Sequence, residues 1–120
     1  MARTAINAQN VVGPYPATPV TANALDVTLT ACDAANGNST PFGSASKLLL
    51  VAQNTGAGAR TITLSSIEDS LNRKGDITTY SIGAGEFMAF LFERSGWLQS
   101  DGSVYYTGEH AEVEVVVFAI

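Results

Sequence analysis

The residues in this sequence that could do chemistry are few and scattered. Nucleophilic catalysis needs a cysteine or serine beside a histidine and a carboxylate, and the chain has one cysteine, Cys32, and one histidine, His110. No serine stands in the Gly-x-Ser-x-Gly turn that exposes a nucleophile. Cys32 follows an apolar alternating segment, so we expect a small buried side chain with a raised pKa. We therefore predict no catalytic residue and no enzymatic activity.

A metal site would need three or four ligands that converge on one point. His110 lies close in sequence to Glu109, Glu112 and Glu114, but no second imidazole or thiolate accompanies it. We predict no transition-metal site and no cofactor. A weak calcium site on the oxygen-rich loops stays open, although these loops lack EF-hand spacing. The acidic residues of those loops are Glu68, Asp69, Asp76 and Asp101.

Length and composition restrict the remaining functions. The 120 residues are enough for one domain, and 46% hydrophobic residues against 14% charged ones supply a core. A formal net charge of -5 repels phosphate, so we expect no nucleic-acid partner and no anionic membrane partner. The first ten residues lack an apolar signal segment, and the apolar run 115–120 is far shorter than the ~18 residues of a membrane span. We expect synthesis in the cytoplasm without export through a cleaved signal.

Alternating and β-branched segments predict an all-β fold. Residues 25–30 alternate strictly, residues 47–65 have the pattern of a hairpin, and Asp101-Gly102 predicts a tight turn. Further strands are predicted over 77–82, 87–92, 104–106 and 111–120. No segment keeps helical spacing, and about seven short strands between Gly, Asn and Asp turns are typical of a sandwich or barrel. We predict an antiparallel β-sandwich or barrel, jelly-roll or tulip-like, with an extended N-terminal arm.

The chain divides into two predicted parts. Residues 1–24 contain Pro14, Pro16 and Pro19, which fix their own φ and favour extended geometry in their predecessors. These residues form the predicted arm, and residues 25–120 form the predicted β domain. The arm carries more apolar side chains than a solvated tail needs, so we expect it to dock onto a partner.

Two predicted strands, 87–92 and the end of 111–120, are apolar on both faces. A domain of this size buries only about two-thirds of its extended surface, and monomers rarely expose large apolar patches. We therefore expect this surplus to pack against other copies or another protein. The predicted interface residues are Val11, Val12, Tyr15, Val20, Phe87, Phe90, Phe92, Val115, Val117 and Phe118.

The pattern of residues 47–106 is similar to that of a known family. It contains Leu48-Leu49-Leu50-Val51, Thr61-Ile62-Thr63-Leu64, Asp69 and Arg73 with Gly75-Asp76-Ile77-Thr78, Tyr80-Ser81-Ile82-Gly83-Ala84-Gly85-Glu86, Gly96-Trp97 and Asp101-Gly102. This pattern resembles small structural proteins of tailed bacteriophages, some of which resemble head decoration (cement) proteins. The resemblance extends to the arm sequence Val11-Val12-Gly13-Pro14-Tyr15-Pro16.

The resemblance implies a virion protein on the outer surface of the capsid. Its partners would be the major capsid protein and further copies of itself, most often as a homotrimer. Two other functions stay open. One is a different virion part, such as a tail-tube, head-completion or filament-forming subunit. The other is a carbohydrate-binding module, which would need Trp97, Tyr105 and Tyr106 exposed on one flat face.

Overall fold

The computed structural model describes residues 3–10, 26–68 and 70–120. Within these ranges the chain forms ten strands and one short helix. The elements are β1 (Thr4–Ala5), β2 (Gln9–Asn10), β3 (Thr30–Ala31), β4 (Asn38–Pro41), β5 (Lys47–Asn54), β6 (Arg60–Ser65), β7 (Ile77–Ile82), β8 (Phe87–Glu93), α1 (Arg94–Trp97), β9 (Ser103–Gly108) and β10 (Val113–Ala119). In the described part of the chain, no helix is long and apolar enough to cross a membrane.

The strands form two sheets that pack face to face. Sheet A has the order β1-β4-β9-β6-β7, and sheet B has the order β2-β10-β5-β8 with β3 also paired to β10. The all-β prediction is confirmed, with 49% of the described residues in strands and 4% in helix. The prediction of an antiparallel sandwich or barrel is corrected in two respects. The β1–β4 and β2–β10 pairs are parallel, and the sheets do not close into a barrel.

The first described segment belongs to both sheets. Residues 3–10 supply β1 to sheet A and β2 to sheet B, and Ile6 between them is 9% exposed and packs in the core. The Arg3 guanidinium donates to the carbonyls of Asn38 and Tyr106, each at 3.2 Å. This part of the predicted arm is therefore integrated into the domain. Residues 11–24 of the predicted arm lie outside the described residues.

The segment 47–65 does not form the predicted hairpin. β5 lies in sheet B and β6 in sheet A, so the loop between them carries the chain from one sheet to the other. Asn54 organises this corner: its Nδ2 donates to the carbonyls of Gly58 (2.7 Å) and Ile82 (2.9 Å), and its Oδ1 accepts from the N–H of Gly56 (2.9 Å). Alternation reveals which side chains face inward, but it does not reveal which strand is the neighbour.

Two other local predictions are corrected. Residues 26–29 form no strand, and Val27 is 56% exposed, because the pairing with β10 starts only at Thr30. The polar segment 34–41 is dense in turn-forming residues, which predict a loop, yet it contains β4. The fully buried Asn38 makes this possible, since its Oδ1 accepts from the N–H of Asp33 (2.8 Å) and its Nδ2 donates to the carbonyl of Thr4 (3.1 Å).

The core lies between the two sheets and is built from the inward-facing half of each strand. Sheet B contributes alternate residues of β5, β8 and β10, and sheet A contributes alternate residues of β6 and β9. The fully buried apolar side chains are Leu48, Leu50, Ala52, Ile62, Leu64, Phe92, Val104, Tyr106, Val113, Val115 and Val117. The space between the sheets is so tight at Gly108 that an added Cβ would lie 2.9 Å from Cys32 Sγ.

Candidate assembly surface

The outer face of sheet B is apolar over three adjacent strands. Since the inward residues of β5 are Leu48, Leu50 and Ala52, alternation directs Leu49 and Val51 outward. The register then places Leu91 and Phe118 on either side of Leu49, and Ala89 and Val116 on either side of Val51. Together with Phe87 these residues form the surface that we call the B face: Leu49, Val51, Phe87, Ala89, Leu91, Val116 and Phe118.

Exposure across the B face is uneven. Val116, on β10, is only 4% exposed, whereas Leu91 and Phe87, on β8, are 41% and 62% exposed. Leu49, Val51 and Phe118 are half-buried. The uncovered apolar area is therefore concentrated along β8, at the end of the sheet.

Polar residues border the B face at its ends. Gln53 pairs with Glu114 on one side and with Phe87 on the other, and Lys47 pairs with Glu93 at the opposite end of the strands. An apolar centre with a polar rim is the ordinary anatomy of a protein–protein interface.

The predicted interface residues fall into three groups and one further residue, Phe90, which lies on the inner side of β8. Phe87 and Phe118 lie on the B face. Phe92, Val115 and Val117 are fully buried between the sheets, so in this fold they pack in the chain's own core and cannot take part in a surface contact. The reason is the pleat, which directs alternate residues of an all-apolar strand to opposite sides. Val11, Val12, Tyr15 and Val20 lie outside the described residues.

Phe90 belongs to a cluster of three aromatic rings on the inner side of β8. Its ring centroid is 5.2 Å from that of Phe92 and 5.0 Å from that of Trp97, and Phe92 and Trp97 are 5.3 Å apart. All three pairs are edge-to-face, a geometry that contributes about 0.5–1.5 kcal/mol per pair beyond burial. The cluster fixes β8 against the core and so holds its outer side chains in place.

The same contacts remove the flat aromatic platform that a carbohydrate-binding module would need. Tyr106 is fully buried, and Trp97 packs edge-to-face against Phe90 and Phe92. The ring of Tyr105 is covered by the Arg3 guanidinium, 4.5 Å from its centroid. These three aromatic residues therefore do not share one exposed face.

Sheet A is held by buried polar groups that the sequence reading did not identify. The hydroxyls of Thr40 and Tyr106 form a hydrogen bond of 2.8 Å, and Thr40 Oγ1 also donates to the carbonyl of Ile6 at 2.7 Å. Burial raises the pKa of the Tyr106 hydroxyl, so it stays protonated and able to donate. A periodicity reading treats Asn and Thr as loop or surface residues and gives no signal for such a network.

The residues considered for chemistry are separated. Cys32 is 4% exposed, and burial raises the pKa of its thiol to about 11, as the sequence predicted for a small packed cysteine. His110 is exposed at the surface, with Nδ1 accepting from the N–H of Glu112 at 3.1 Å. Glu112 itself bonds to Arg60 at 2.9 Å. The described residues contain no group of three or more potential metal ligands.

Two open grooves lie away from the B face. The larger, about 480 Å³, is lined by residues that include Asn7, Phe42 and Ile120. The smaller, about 270 Å³, is lined by residues that include Ser66, Lys74 and Trp97. None of the described residues that line either groove is a carboxylate.

Comparison of the chain with protein-family models, with curated proteins and with solved structures finds no match. The function must therefore be argued from the residues and the surface described above.

Five of the seven B-face residues are not among the predicted interface residues. Phe87 and Phe118 were predicted, but Leu49, Val51, Ala89, Leu91 and Val116 were not. A signal was present, because the run Leu48 to Val51 is apolar at both parities and must place apolar side chains on both sides of the sheet.

Proposed function

We propose that this protein is a structural component of a bacteriophage virion, a decoration (cement) protein that binds the outer surface of the head and stabilises it as an oligomer. Its partner would be the major capsid protein. In this proposal the fold is a jelly-roll or tulip-like sandwich, and the segment up to residue 24 contributes an arm that docks onto the shell.

The observation that carries the proposal is the B face. A small acidic chain keeps Phe87 and Leu91 in solvent beside a row of half-buried aliphatic side chains. Monomers seldom retain a contiguous apolar patch unless a partner covers it. In an assembly protein a partner covers such a face, whereas an enzyme would need convergent polar groups in a concave site.

The charge of the chain favours the outside of the shell. A formal net charge of -5 would repel packaged DNA on the inner side, but it is compatible with the solvent side. The charged groups lie around the B face, at Glu93, Glu114 and Lys47, and can select the orientation of a docked partner.

The mechanism of stabilisation is mass action. A protein that binds only the expanded shell lowers the free energy of that state by RT ln(1 + [L]/Kd) for each site. Many sites on one particle add these contributions. Linked copies gain further from effective concentration, because the second contact of an oligomer is intramolecular.

The arm adds a second contact in this proposal. Val11, Val12, Tyr15 and Val20 would lie against a neighbouring subunit, and an extended segment would form main-chain hydrogen bonds with a sheet edge. Since residues 3–10 already belong to the two sheets, the test is replacement of residues 11–24 by a Gly/Ser linker of equal length. We expect a folded domain with weaker attachment to heads. Unchanged attachment would contradict the arm's role.

The proposal is tested by binding to heads prepared without this chain. The purified protein is mixed with expanded and unexpanded heads, and bound copies are measured by sedimentation and head opening by a thermal scan. We expect saturable binding to expanded heads, a higher opening temperature, and loss of both effects in Leu91→Asp.

A matched control is Ser81→Asp, which places the same charge on the exposed end strand of sheet A. It should bind as the unmodified protein does. Absence of binding to either form of head would contradict the decoration role. Long regular polymers of the protein alone would favour the tail-tube or filament subunit instead.

A further inference from the structure

Among the described residues, β8 pairs only with β5 and so forms one edge of sheet B, and its outward backbone groups can be identified. The N–H of Asn54 donates to the carbonyl of Glu86 (3.0 Å), and in an antiparallel ladder the hydrogen-bonded positions alternate. The even-numbered residues of β8 therefore direct their backbone groups toward β5. The odd-numbered residues Phe87, Ala89, Leu91 and Glu93 direct theirs away from the sheet.

This edge is unusually open. No described residue makes a hydrogen bond to the outward backbone groups of those four residues. The strand has seven residues, Phe-Met-Ala-Phe-Leu-Phe-Glu, and none of them is proline, glycine or lysine. Natural proteins normally blunt an exposed edge of this kind with such residues, because a bare edge is a template for pairing with another chain.

The edge is also complementary to itself. Phe90 is the central residue of the strand. The acidic residue Glu86 comes directly before the strand, and the basic residue Arg94 comes directly after it. In an antiparallel pair of two β8 strands centred on Phe90, Glu86 of each copy lies at the register position opposite Arg94 of the other. Both residues are exposed. The Arg94 guanidinium donates to the carbonyls of Gly43 and Ala45 in its own chain, each at 2.8 Å, and these bonds hold its positive charge at this end of β8.

We infer that β8 pairs antiparallel with β8 of a second copy about a twofold axis at Phe90, joining two B sheets into one continuous sheet. The contact goes beyond the proposed function, because it specifies a pair of copies where the resemblance to cement proteins implies a trimer. It is isologous, so every contact is made twice.

The register follows from the count of backbone bonds. Centred on Phe90, the four outward residues of each strand face one another as Phe87 with Glu93 and Ala89 with Leu91, and each residue has a partner within β8. A shift of two residues in either direction leaves one outward residue of each strand without a partner in β8. The centred register is also the one that aligns the Glu86 and Arg94 positions.

The pairing also explains the uneven exposure of the B face. Leu91 and Phe87, its most exposed members, lie on the strand that would become central in the joined sheet. Ala89 opposite Leu91 sets a small side chain against a large one on that face. Opposite-charge and apolar cross-strand pairs each stabilise a sheet by roughly 0.2–1 kcal/mol.

The first test is the mass of the protein in solution, measured by size-exclusion chromatography with light scattering over a range of concentrations. We expect twice the 12.5 kDa of one chain, with dissociation on dilution. Ala89→Pro removes an outward N–H without removing a bond to β5, so this variant should remain folded by circular dichroism and run as a monomer.

The control for this test is Ser81→Pro. The carbonyl of Thr61 accepts from Glu109, so the backbone of Thr61 faces β9, and the backbone of its β7 partner Ser81 faces the free edge of sheet A. The same substitution at the other open edge should leave the dimer unchanged. A monomer at all concentrations, a trimer, or a dimer that Ala89→Pro does not weaken would overturn the inference.

A second test does not depend on the tolerance for proline. In a Cys32→Ala background, Ala89→Cys places two thiols near the twofold axis, and a short bis-maleimide should crosslink them in high yield. Ser81→Cys in the same background should crosslink at least tenfold less. Equal yields would overturn the β8 pairing. Either failure leaves the head-binding assay unaffected, so the inference and the proposed function can fail separately.

Discussion

The two sheets of this protein have equally regular inner faces and very different outer ones. The outer residues of sheet A, next to Ile62 and Leu64, include Thr61, Thr63 and Ser65. At the matching positions of β5 in sheet B, the outer residues are Leu49 and Val51. Threonine and valine have nearly the same shape and similar strand preference, so strand formation does not require this difference.

This difference indicates that folding accounts for the inward-facing residues of a strand, whereas assembly accounts for the apolar residues that face outward. Burial between the sheets accounts for the inner residues of both sheets. Solvation accounts for the hydroxyl-bearing outer face of sheet A. Nothing in the fold of one chain requires the apolar outer residues of β8, and this excess is what the proposed contacts would use.

The largest expected effect separates the two faces of β10. Val117 is fully buried between the sheets, and its neighbour Phe118 lies half-buried on the B face. Val117→Asp should unfold the chain, because an unpaired buried carboxylate costs at least about 4 kcal/mol. Phe118→Asp should fold and bind heads more weakly, because Phe118 lies on the B face. Circular dichroism and sedimentation with heads distinguish these outcomes, and a folded Val117→Asp would contradict the placement of the core.

A smaller effect compares two leucines of neighbouring strands. Leu50→Ala removes a fully buried side chain and should lower the free energy of unfolding by about 2–5 kcal/mol. Leu91→Ala, at a site that is 41% exposed, should lower the stability of the isolated chain by less than about 1 kcal/mol. Urea unfolding at a low protein concentration measures both values. Equal losses would show that Leu91 already lies in a closed core.

The pH dependence of stability reports on a buried core residue, Cys32, and not on the outer face of either sheet. Folding raises the pKa of Cys32 from 9.0 to about 11, so the unfolded chain loses this proton first. Stability from this group is complete below pH 9 and decreases as the pH rises to 11, by roughly 3 kcal/mol in total. Cys32→Ala should remove this contribution.

Tyr106, whose pKa is also raised by burial, should add a further decrease above pH 10. This decrease is common to the unmodified protein and Cys32→Ala, so it cancels from the difference between their stabilities, which changes between pH 9 and 11. Leu91→Asp and Ser81→Asp should keep the full dependence, since neither face contains Cys32. An unchanged pH profile in Cys32→Ala would contradict burial of the thiol.

The smallest expected effect tests the charges at the two ends of β8. Glu86→Arg alone and Arg94→Glu alone each place like charges opposite each other in the centred register. Each should weaken the dimer by about fivefold or more, because exposed ion pairs contribute up to about 1 kcal/mol. An equimolar mixture of the two variants should restore association, since both opposite pairs re-form in the mixed dimer. No recovery would argue against this register.

Much of the strand content could be predicted from the sequence, because β-branched, aromatic and alternating apolar residues favour strands. The strands at 77–82 and 87–92 and the last strand were predicted from these features, and Cys32 behaves as expected. The sheet to which each strand belongs could not be predicted. The sequences of β5 and β6 have the pattern of a hairpin, but the two strands lie in different sheets, and the side chain of Asn54 stabilises the corner between them.

The candidate surface was only partly predictable for a related reason. When a strand is apolar on both faces, the sequence does not show which face packs in the chain's own core and which lies on the outer surface. Phe87 and Phe92 look equivalent in the sequence, yet the pleat and the aromatic cluster with Trp97 make one a surface residue and the other a core residue. The open edge of β8 depends on strand order, which periodicity does not contain.

The most direct test of the central claim is hydrogen–deuterium exchange of the associated protein, compared with the dilute chain and with the chain bound to heads. We expect the amides of residues 87–93 to become protected on association. Those of residues 77–82, the open edge of sheet A, should keep their exchange rates. Exchange in 87–93 that is the same in every state, or protection confined to 77–82, would contradict the assignment of β8 and the B face as the assembly surface.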